Sequence, residues 1–544
     1  MKYRLKKLGD FIKCDKYIIK ITSVLILFYI IYSRSHPSSD QLNQIGSAFN
    51  FIKGNGFSKV FFDGKQLIFQ SLDNWPKFYS LLIAFFLKIS KDTNVSFLCV
   101  EFICYGLFLV AIYKTLTILL KASSNKNLVL NLAAISLATS IAPFKYGIGV
   151  DVVSVAFMLL SIVFLYKYYF EKLHPKYLVI VYSFMSLLCH VRYDYLPKVL
   201  MLFVFILTIE VLQKTFKKHV VYKVLLSSFF GINFLYIFLS DYFQKTSAGS
   251  TNLISSSSAV VENYWNYLYA PFFNSFFPDF ILFTFLSKIS KSFISENYLI
   301  FIVPLSFISI IILYSFKINI KLKSLLKINK KNFLPLALLF LAMSNLVTLF
   351  VVYGTNTFYQ ISWIQNPYQI SYSGLSVVNR YFLLLHVSIF ILAAYNAFEL
   401  KNRFFKFLII ASTCFGIFHF GYLYTRYSIF KSENLKLVSS PSEIYVDCMK
   451  INTLISSVNK ENNLFIPIYN QDTVYNRQIK PSQIALSNGF VIFNSKDSLT
   501  DNIELNSKFD NIYSCSFTKK SVKKMHYETI YSGKIYSLHK KIND

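Results

Sequence analysis

The sequence predicts an all-α polytopic membrane protein with about eleven transmembrane helices, further interfacial helices and a small C-terminal α/β domain outside the membrane. Of its 544 residues, 54% are hydrophobic and 18% aromatic, and the mean hydropathy is +0.45, which is beyond the usual range of soluble domains. Apolar runs of about 18 to 22 residues recur, long enough to cross a hydrocarbon core of ~30 Å as helices. The composition turns polar only after about residue 430.

The first apolar run, residues 18–33, follows a basic segment with six Lys or Arg residues in positions 1–17. Because cationic residues stay on the cytoplasmic side of a membrane, residues 1–17 are predicted to be cytoplasmic and the first helix to run outward. No small-residue cleavage site follows Tyr32, so an uncleaved helix is expected. The loop 34–95, which carries Asp40, is therefore predicted to lie outside.

The remaining apolar runs divide into spans and shorter interfacial helices. Residues 76–89 are too short to cross a bilayer and are bounded by lysines, which predicts a helix lying in the interface, and residues 278–294 are a second candidate. The spans predicted after the first are 96–120, 127–144, 152–170, 176–190, 196–213, 220–240, 299–316, 333–353, 380–398 and 404–424.

Lysine placement gives these spans one consistent orientation. The loop 317–332 has six lysines and no acid, and it falls on the cytoplasmic side together with the other lysine-rich loops. This orientation predicts a multispan domain over residues 18–425 and an extracytoplasmic C-terminal domain over residues 426–544. In that last segment, short apolar runs between turn residues favour an α/β fold.

The formal net charge of +29 does not predict a nucleic-acid partner, because the basic residues lie between apolar runs and not in a folded soluble domain. Abundant Lys, Ile, Asn and Phe are typical of AT-rich bacterial genomes, so the bacterial cytoplasmic (inner) membrane is expected. Seven cysteines without a C-x-x-C pair predict neither a zinc site nor a redox motif. Cys448 and Cys515 either form a disulfide or remain free thiols.

Several motifs stand on the predicted outer face. Asp40 follows the first helix within a few residues, G-N-G-F occupies residues 54–57, W-P-K-F-Y-S-L-L occupies residues 75–82, and a second acid, Asp151, begins a later span. This arrangement resembles the membrane glycosyltransferases of the GT-C fold, among them bacterial lipid A aminoarabinose transferases and protein O-mannosyltransferases. The sequence N-R-Y-F-L-L-L at 379–385 is similar to the Arg-Tyr motif that opens a late helix in many members.

Two positions differ from the family pattern. Gln41 follows the first acid where the family often has Glu, and Pro76 is a single proline where the family usually has two. The resemblance implies transfer of a sugar from a polyprenyl-phosphate donor, with inversion at the anomeric carbon, to an acceptor at the outer surface. Lipid A, polysaccharide, protein and another lipid all remain open as acceptors.

This chemistry needs a carboxylate to take the acceptor proton and cations to stabilise the phosphate that leaves. Asp40 is the candidate general base, and Asp151 is a candidate to orient the acceptor. Both are also candidate ligands for a divalent cation, Mg or Mn. At the outer ends of helices, Arg192 and Arg380 can grip phosphate oxygens bidentately, and Lys77 is a further phosphate candidate.

Each candidate also has a structural alternative. Asp40 could be a solvated loop acid, and Asp151 could be a helix N-cap. Arg192 could pair with Asp194 or anchor to lipid headgroups, and Arg380 could also be a headgroup anchor. Lys77 could snorkel to the interface. Three other functions remain: a surface-polysaccharide polymerase or ligase, a transporter of lipid-linked sugars, and a non-catalytic membrane scaffold or sensor. Transporters usually show repeated halves, and no repeat is visible here.

Overall fold

The computed structural model contains two compact units. The helical unit comprises Met1–Ser33 and Phe102–Arg426, and the sheet unit comprises Arg34–Glu101 and Tyr427–Asp544. The residues that the structure describes are 39–62, 66–71, 76–120, 148–172, 174–213, 215, 217–239, 328–353, 383–414, 447–448, 450–455, 463–468, 481–493, 509–517, 527–533 and 536–541.

The helices within those residues include α1 Ser39–Ile52, α2 Phe78–Ser90, α3 Thr93–Leu119, α4 Ile148–Lys167, α5 Pro175–Val191, α6 Leu196–Leu212, α7 Val220–Ile237, α8 Phe333–Tyr353, α9 Leu383–Phe398 and α10 Pro481–Ser487. The strands are β1 Ser58–Phe62, β2 Leu67–Ser71, β3 Asn463–Ile468, β4 Val491–Phe493, β5 Asn511–Phe517, β6 Tyr527–Ser532 and β7 Tyr536–Lys541.

Helix α1 is buried along most of its length in the sheet unit, over residues 41–50, although it carries several amides. It ends at the G-N-G motif, where Gly54 and Gly56 adopt φ values of +84° and +68° that favour glycine. The Asn50 side-chain amide donates to the Ser58 carbonyl over 2.7 Å and closes the turn. The motif therefore reverses the chain from α1 into β1.

The seven strands form one mixed sheet in the order β2-β1-β4-β3-β5-β7-β6. Strand β1 pairs in parallel with β4, so the loop after the first predicted helix shares hydrogen bonds with the C-terminal region. An open sheet does not pass through hydrocarbon, so these two segments lie on the same side of the membrane.

The predicted self-contained C-terminal α/β domain is not confirmed. The sheet takes β1 and β2 from the outer loop, and α1 packs against α10 in the same unit. Pairing between strands that lie hundreds of residues apart leaves no local pattern in the sequence. The domain boundaries at 17/18 and 425/426 stay predictions.

The helical unit confirms the prediction of a mostly helical chain with apolar helices. Among the described residues, three helices are long and apolar enough to cross a membrane: Thr93–Leu119, Gly149–Glu171 and Val220–Ile237. Shorter apolar helical segments are Phe78–Ser90, Pro175–Val191, Phe333–Asn345 at the start of α8, and Leu383–Phe398. The count of eleven spans is not confirmed, and the predicted spans 18–33, 127–144 and 299–316 and the interfacial candidate 278–294 lie outside the described residues.

Two helices expose apolar side chains that water would disfavour. Helix α7 presents Phe229 and Ile232 at 63% and 70% exposure, which is appropriate for a surface facing lipid. Helix α2 buries one face and exposes Phe85 and Ile89 at 60% and 67% on the other. That second apolar stripe favours the interfacial position predicted for residues 76–89.

A close helix contact in the sheet unit leaves little room for a methyl group on Gly46. A Cβ on Gly46 of α1 would lie 3.0 Å from the Leu486 carbonyl oxygen of α10. We expect Gly46→Ala to lower the free energy of unfolding by up to about 2 kcal/mol, because overpacking costs about 1–3 kcal/mol and Ala offsets ~1 kcal/mol of that as a better helix former than Gly. Thermal unfolding of the purified protein in detergent measures the effect.

The matched control is Gly106→Ala in α3, where a Cβ would meet nothing within 4 Å. That variant is expected to be neutral or slightly stabilising. Equal behaviour of the two alanine variants would contradict the close packing of α1 on α10.

Candidate functional site

In the helical unit, Asp151 and Arg192 form an ion pair. Asp151 lies in the first turn of α4, three residues after its start at Ile148, and Arg192 follows the last residue of α5. Consecutive packed helices bring these two ends together, and the two side chains are only 2% and 13% exposed. The structure therefore joins two predicted site residues, and Asp151 lies inside its helix and not at the N-cap.

The ion pair holds the guanidinium in one place, because a buried charge needs its partner to offset lost hydration. The backbone at Arg192 is extended, with φ −154° and ψ 131°, so its side chain leaves the helix end. Such a fixed guanidinium fits bidentate binding of a phosphate. The side chain of Asp194, the other acid considered as its partner, is outside the described part of the chain.

A further cation near this end, Lys198, was not identified from the sequence. It lies in the first turn of α6, is fully buried at 0% exposure, and its Nζ is 4.0 Å from the centroid of the Tyr195 ring. Attraction to the ring face stabilises a buried ammonium. The sequence does indicate this residue, because Lys198 lies inside the predicted span 196–213. A charge at membrane depth indicates function or a specific partner.

A second ion pair lies toward the other end of α6. The Lys223 ammonium is 2.5 Å from Glu210, and the carboxylate of Glu210 also accepts hydrogen bonds from Tyr169 and Thr215. Twelve residues of helix separate Lys198 from Glu210, which is roughly 18 Å. This pair links α6 to α7.

In the sheet unit, a buried polar network lies beside Asp40. Gln41 Nε2 donates to the Tyr79 hydroxyl over 3.0 Å and to Glu101 Oε1 over 3.0 Å. The Tyr79 hydroxyl donates to the same Glu101 oxygen over 2.7 Å. The three side chains are 4%, 1% and 2% exposed and come from α1, α2 and α3.

This network lies next to two predicted site residues along the chain. Asp40 is the second residue of α1 and immediately precedes Gln41, although its side chain is outside the described part of the structure. Lys77 immediately precedes α2, is exposed, and is two residues from Tyr79. Glu101 was missed from the sequence, where the signal was an acid within the predicted span 96–120.

The remaining predictions are not all covered by the described residues. Arg380 lies outside them. Within them, no group of three or more His, Cys, Asp or Glu side chains could hold a metal ion. Asp151 is paired with Arg192, and we assign no step to a divalent cation. Binding of Mg or Mn by Asp40 and Asp151 stays a prediction.

Of the two alternatives for the C-terminal cysteines, the structure has the free thiols. Cys448 and Cys515 lie in one hydrophobic core at 0% exposure, and burial raises the pKa of both thiols.

Because only the thiolate is nucleophilic, we expect neither cysteine to react with iodoacetamide at pH 8 in the folded protein. Mass spectrometry of labelled peptides, before and after denaturation, measures this. Labelling of either residue without denaturation would contradict the buried placement.

Comparison with known proteins gives one family match. The family model described as dolichyl-phosphate-mannose-protein mannosyltransferase matches residues 74–238. This match confirms the predicted resemblance to GT-C membrane glycosyltransferases over that part of the chain. No curated protein shows significant similarity to the chain.

Solved structures of ArnT from Cupriavidus metallidurans are similar over most of the chain. The structure bound to undecaprenyl phosphate is 10% identical with a TM-score of 0.40, covering 97% of this chain and 98% of that one. The apo structure is 11% identical with a TM-score of 0.38, covering 96% and 98%.

Proposed function

We propose that this protein is an inverting membrane glycosyltransferase that moves a sugar from a polyprenyl-phosphate donor to an acceptor on the outer face of the bacterial cytoplasmic membrane. The acceptor belongs to lipid A, a polysaccharide, a protein or another lipid. The observation that carries the proposal is the family match over residues 74–238, which includes Lys77, Asp151 and Arg192. The name of that family specifies a sugar carried on a polyprenyl-type phosphate.

The proposed reaction is a single displacement. The carboxylate of Asp40 accepts the proton of the acceptor hydroxyl or amine as its oxygen or nitrogen bonds to the anomeric carbon. The bond between that carbon and the phosphate oxygen breaks, and polyprenyl phosphate leaves. Attack opposite the leaving group inverts the configuration at the anomeric carbon.

The cations are proposed to stabilise the departing phosphate. Arg192, held by Asp151, supplies a fixed guanidinium, and Lys77 supplies an exposed ammonium next to α2. Arg380 is proposed for the same role from its sequence motif. Asp151 orients Arg192 and, as a further proposal, the acceptor.

The sheet supports the proposed placement of the reaction. Strands β1 and β4 pair directly, so the segment after Asp40 and the C-terminal region share one side of the membrane. The lysine pattern predicts the outer side for both segments. A reporter fused after residue 430 is expected to be extracytoplasmic, and a cytoplasmic signal would contradict this placement.

The direct test is an assay of purified protein in liposomes with a polyprenyl-phosphate-linked sugar and a mixture of envelope acceptors. We expect release of polyprenyl phosphate and sugar-modified acceptor, detected by mass spectrometry and absent from liposomes without the protein. Repeating the assay with chelator, then with added Mg or Mn, tests the predicted cation. Comparison of envelope glycans and lipid A with and without the protein identifies the acceptor.

The same assay separates transport and polysaccharide assembly from the proposed reaction. A transporter of lipid-linked sugars would move the donor across the bilayer with its sugar bond intact. A polysaccharide polymerase or ligase would transfer a preassembled chain and leave the single-sugar donor unused. Either result, with correctly inserted protein, would overturn the proposed reaction.

A further inference from the structure

We propose that Gln41, Tyr79 and Glu101 are positioning residues that fix the places of Asp40 and Lys77 for sugar transfer. In this role the amide at position 41 and the carboxylate at position 101 depend on each other. This inference rests on the proposed function, since it assigns the network to the same reaction.

The hydrogen bonds determine which group must stand at each position. Both partners of Gln41 Nε2 accept from it: the Tyr79 hydroxyl oxygen and Glu101 Oε1, each at 3.0 Å. The Tyr79 hydroxyl uses its single proton toward Glu101 at 2.7 Å. Position 41 therefore donates and position 101 accepts, so the network needs one donor amide and one acceptor carboxylate at these two positions. A second carboxylate at position 41 would place two buried acceptors against each other.

The location of the network argues for positioning beyond simple packing. It joins α1, α2 and α3 at the start of α1, the turn in which Asp40 lies. Through Tyr79 it also anchors the start of α2, which Lys77 precedes. Helix backbone between adjacent residues is rigid, so anchoring Gln41 and Tyr79 limits the movement of both predicted site residues. Misplacement of a reacting group by about 1 Å can reduce a rate 10²-fold.

The network joins an amide and a carboxylate that come from two different helices. The buried carboxylate near the first acid comes here from α3, as Glu101, and the residue beside Asp40 supplies the amide that pairs with it. The two groups should then be exchangeable, because Tyr79 contacts both and its proton can go to either side.

Three variants test this exchange, with kcat and donor KM measured per folded protein. Gln41→Glu and Glu101→Gln are each expected to reduce kcat about tenfold or more while donor KM changes little. The double variant Gln41→Glu/Glu101→Gln restores one amide and one carboxylate, and is expected to recover most of the lost kcat. If the double variant loses kcat by the full product of the two single losses, the proposal is overturned.

A hydroxyl deletion separates positioning from packing if a charge variant fails to fold. Tyr79→Phe keeps the ring and is expected to lower kcat about tenfold. Its matched control is Tyr182→Phe, which removes another tyrosine hydroxyl, hydrogen-bonded to Ser227 at 3.0 Å, between α5 and α7. If Tyr79→Phe and Tyr182→Phe lose the same stability and both keep wild-type kcat, the network is only structural and the inference is overturned.

The outcomes distinguish this inference from the proposed function. Absence of turnover in the wild-type protein, under conditions where it is folded and inserted, contradicts the function itself. Normal wild-type turnover together with unaffected kcat in Tyr79→Phe and Gln41→Glu contradicts only the positioning role.

Discussion

Substitution of Asp40 by Asn is expected to reduce turnover of a polyprenyl-phosphate sugar about 10²- to 10⁴-fold, the contribution typical of a general base. Asn has nearly the shape of Asp but cannot take the acceptor proton. Binding of the donor depends on its lipid and phosphate, so donor KM should change little. The rate at which purified wild-type and variant protein release polyprenyl phosphate from the donor measures kcat and donor KM.

The matched control is Asp510→Asn, which removes the same charge from an exposed position in the sheet unit. This variant should keep wild-type kcat. Asp40→Asn with normal expression and normal turnover would leave Asp40 as a solvated acid at the start of α1, which is its structural alternative. A loss common to both variants would instead indicate a general effect of charge on the sheet unit.

Much of the helical architecture follows from hydrocarbon thickness, which sets the length of each apolar run. The predicted spans 196–213 and 333–353 correspond closely to α6 Leu196–Leu212 and α8 Phe333–Tyr353. The sheet could not be predicted in the same way. Strand β1 pairs with β4, more than 400 residues later, and no local pattern in S-K-V-F-F indicates that partner.

The site shows the same division between local and distant information. Asp151 and Arg192 were found separately, because each stands at the outer end of a predicted span. Their ion pair depends on how α4 packs against α5, which the sequence does not specify. Glu101 and Lys198 were overlooked because charges near the ends of apolar runs are common. Their burial, at 2% and 0% exposure, distinguishes them from such residues.

Breaking the Asp151–Arg192 pair is expected to have the largest effect on stability. Arg192→Met would leave Asp151 buried at 2% exposure without its cation, and Asp151→Asn would leave the guanidinium without its anion. Removing one partner of a buried pair typically costs about 3–5 kcal/mol. The double variant Asp151→Asn/Arg192→Met removes both charges and should recover most of that loss. Denaturant or thermal unfolding in detergent measures all three variants.

The recovered double variant then separates stability from chemistry. If the pair holds Arg192 against the donor phosphate, the stable double variant still loses turnover, because no guanidinium stabilises the leaving group. The matched control is Glu210→Gln/Lys223→Met, which removes another buried ion pair. That pair lies toward the far end of α6, roughly 18 Å along the helix from Lys198 in its first turn. That control should keep wild-type kcat per folded protein. Wild-type kcat in both double variants would make the Asp151–Arg192 pair a structural clamp between α4 and α5, and the phosphate would then have to be bound by other cations.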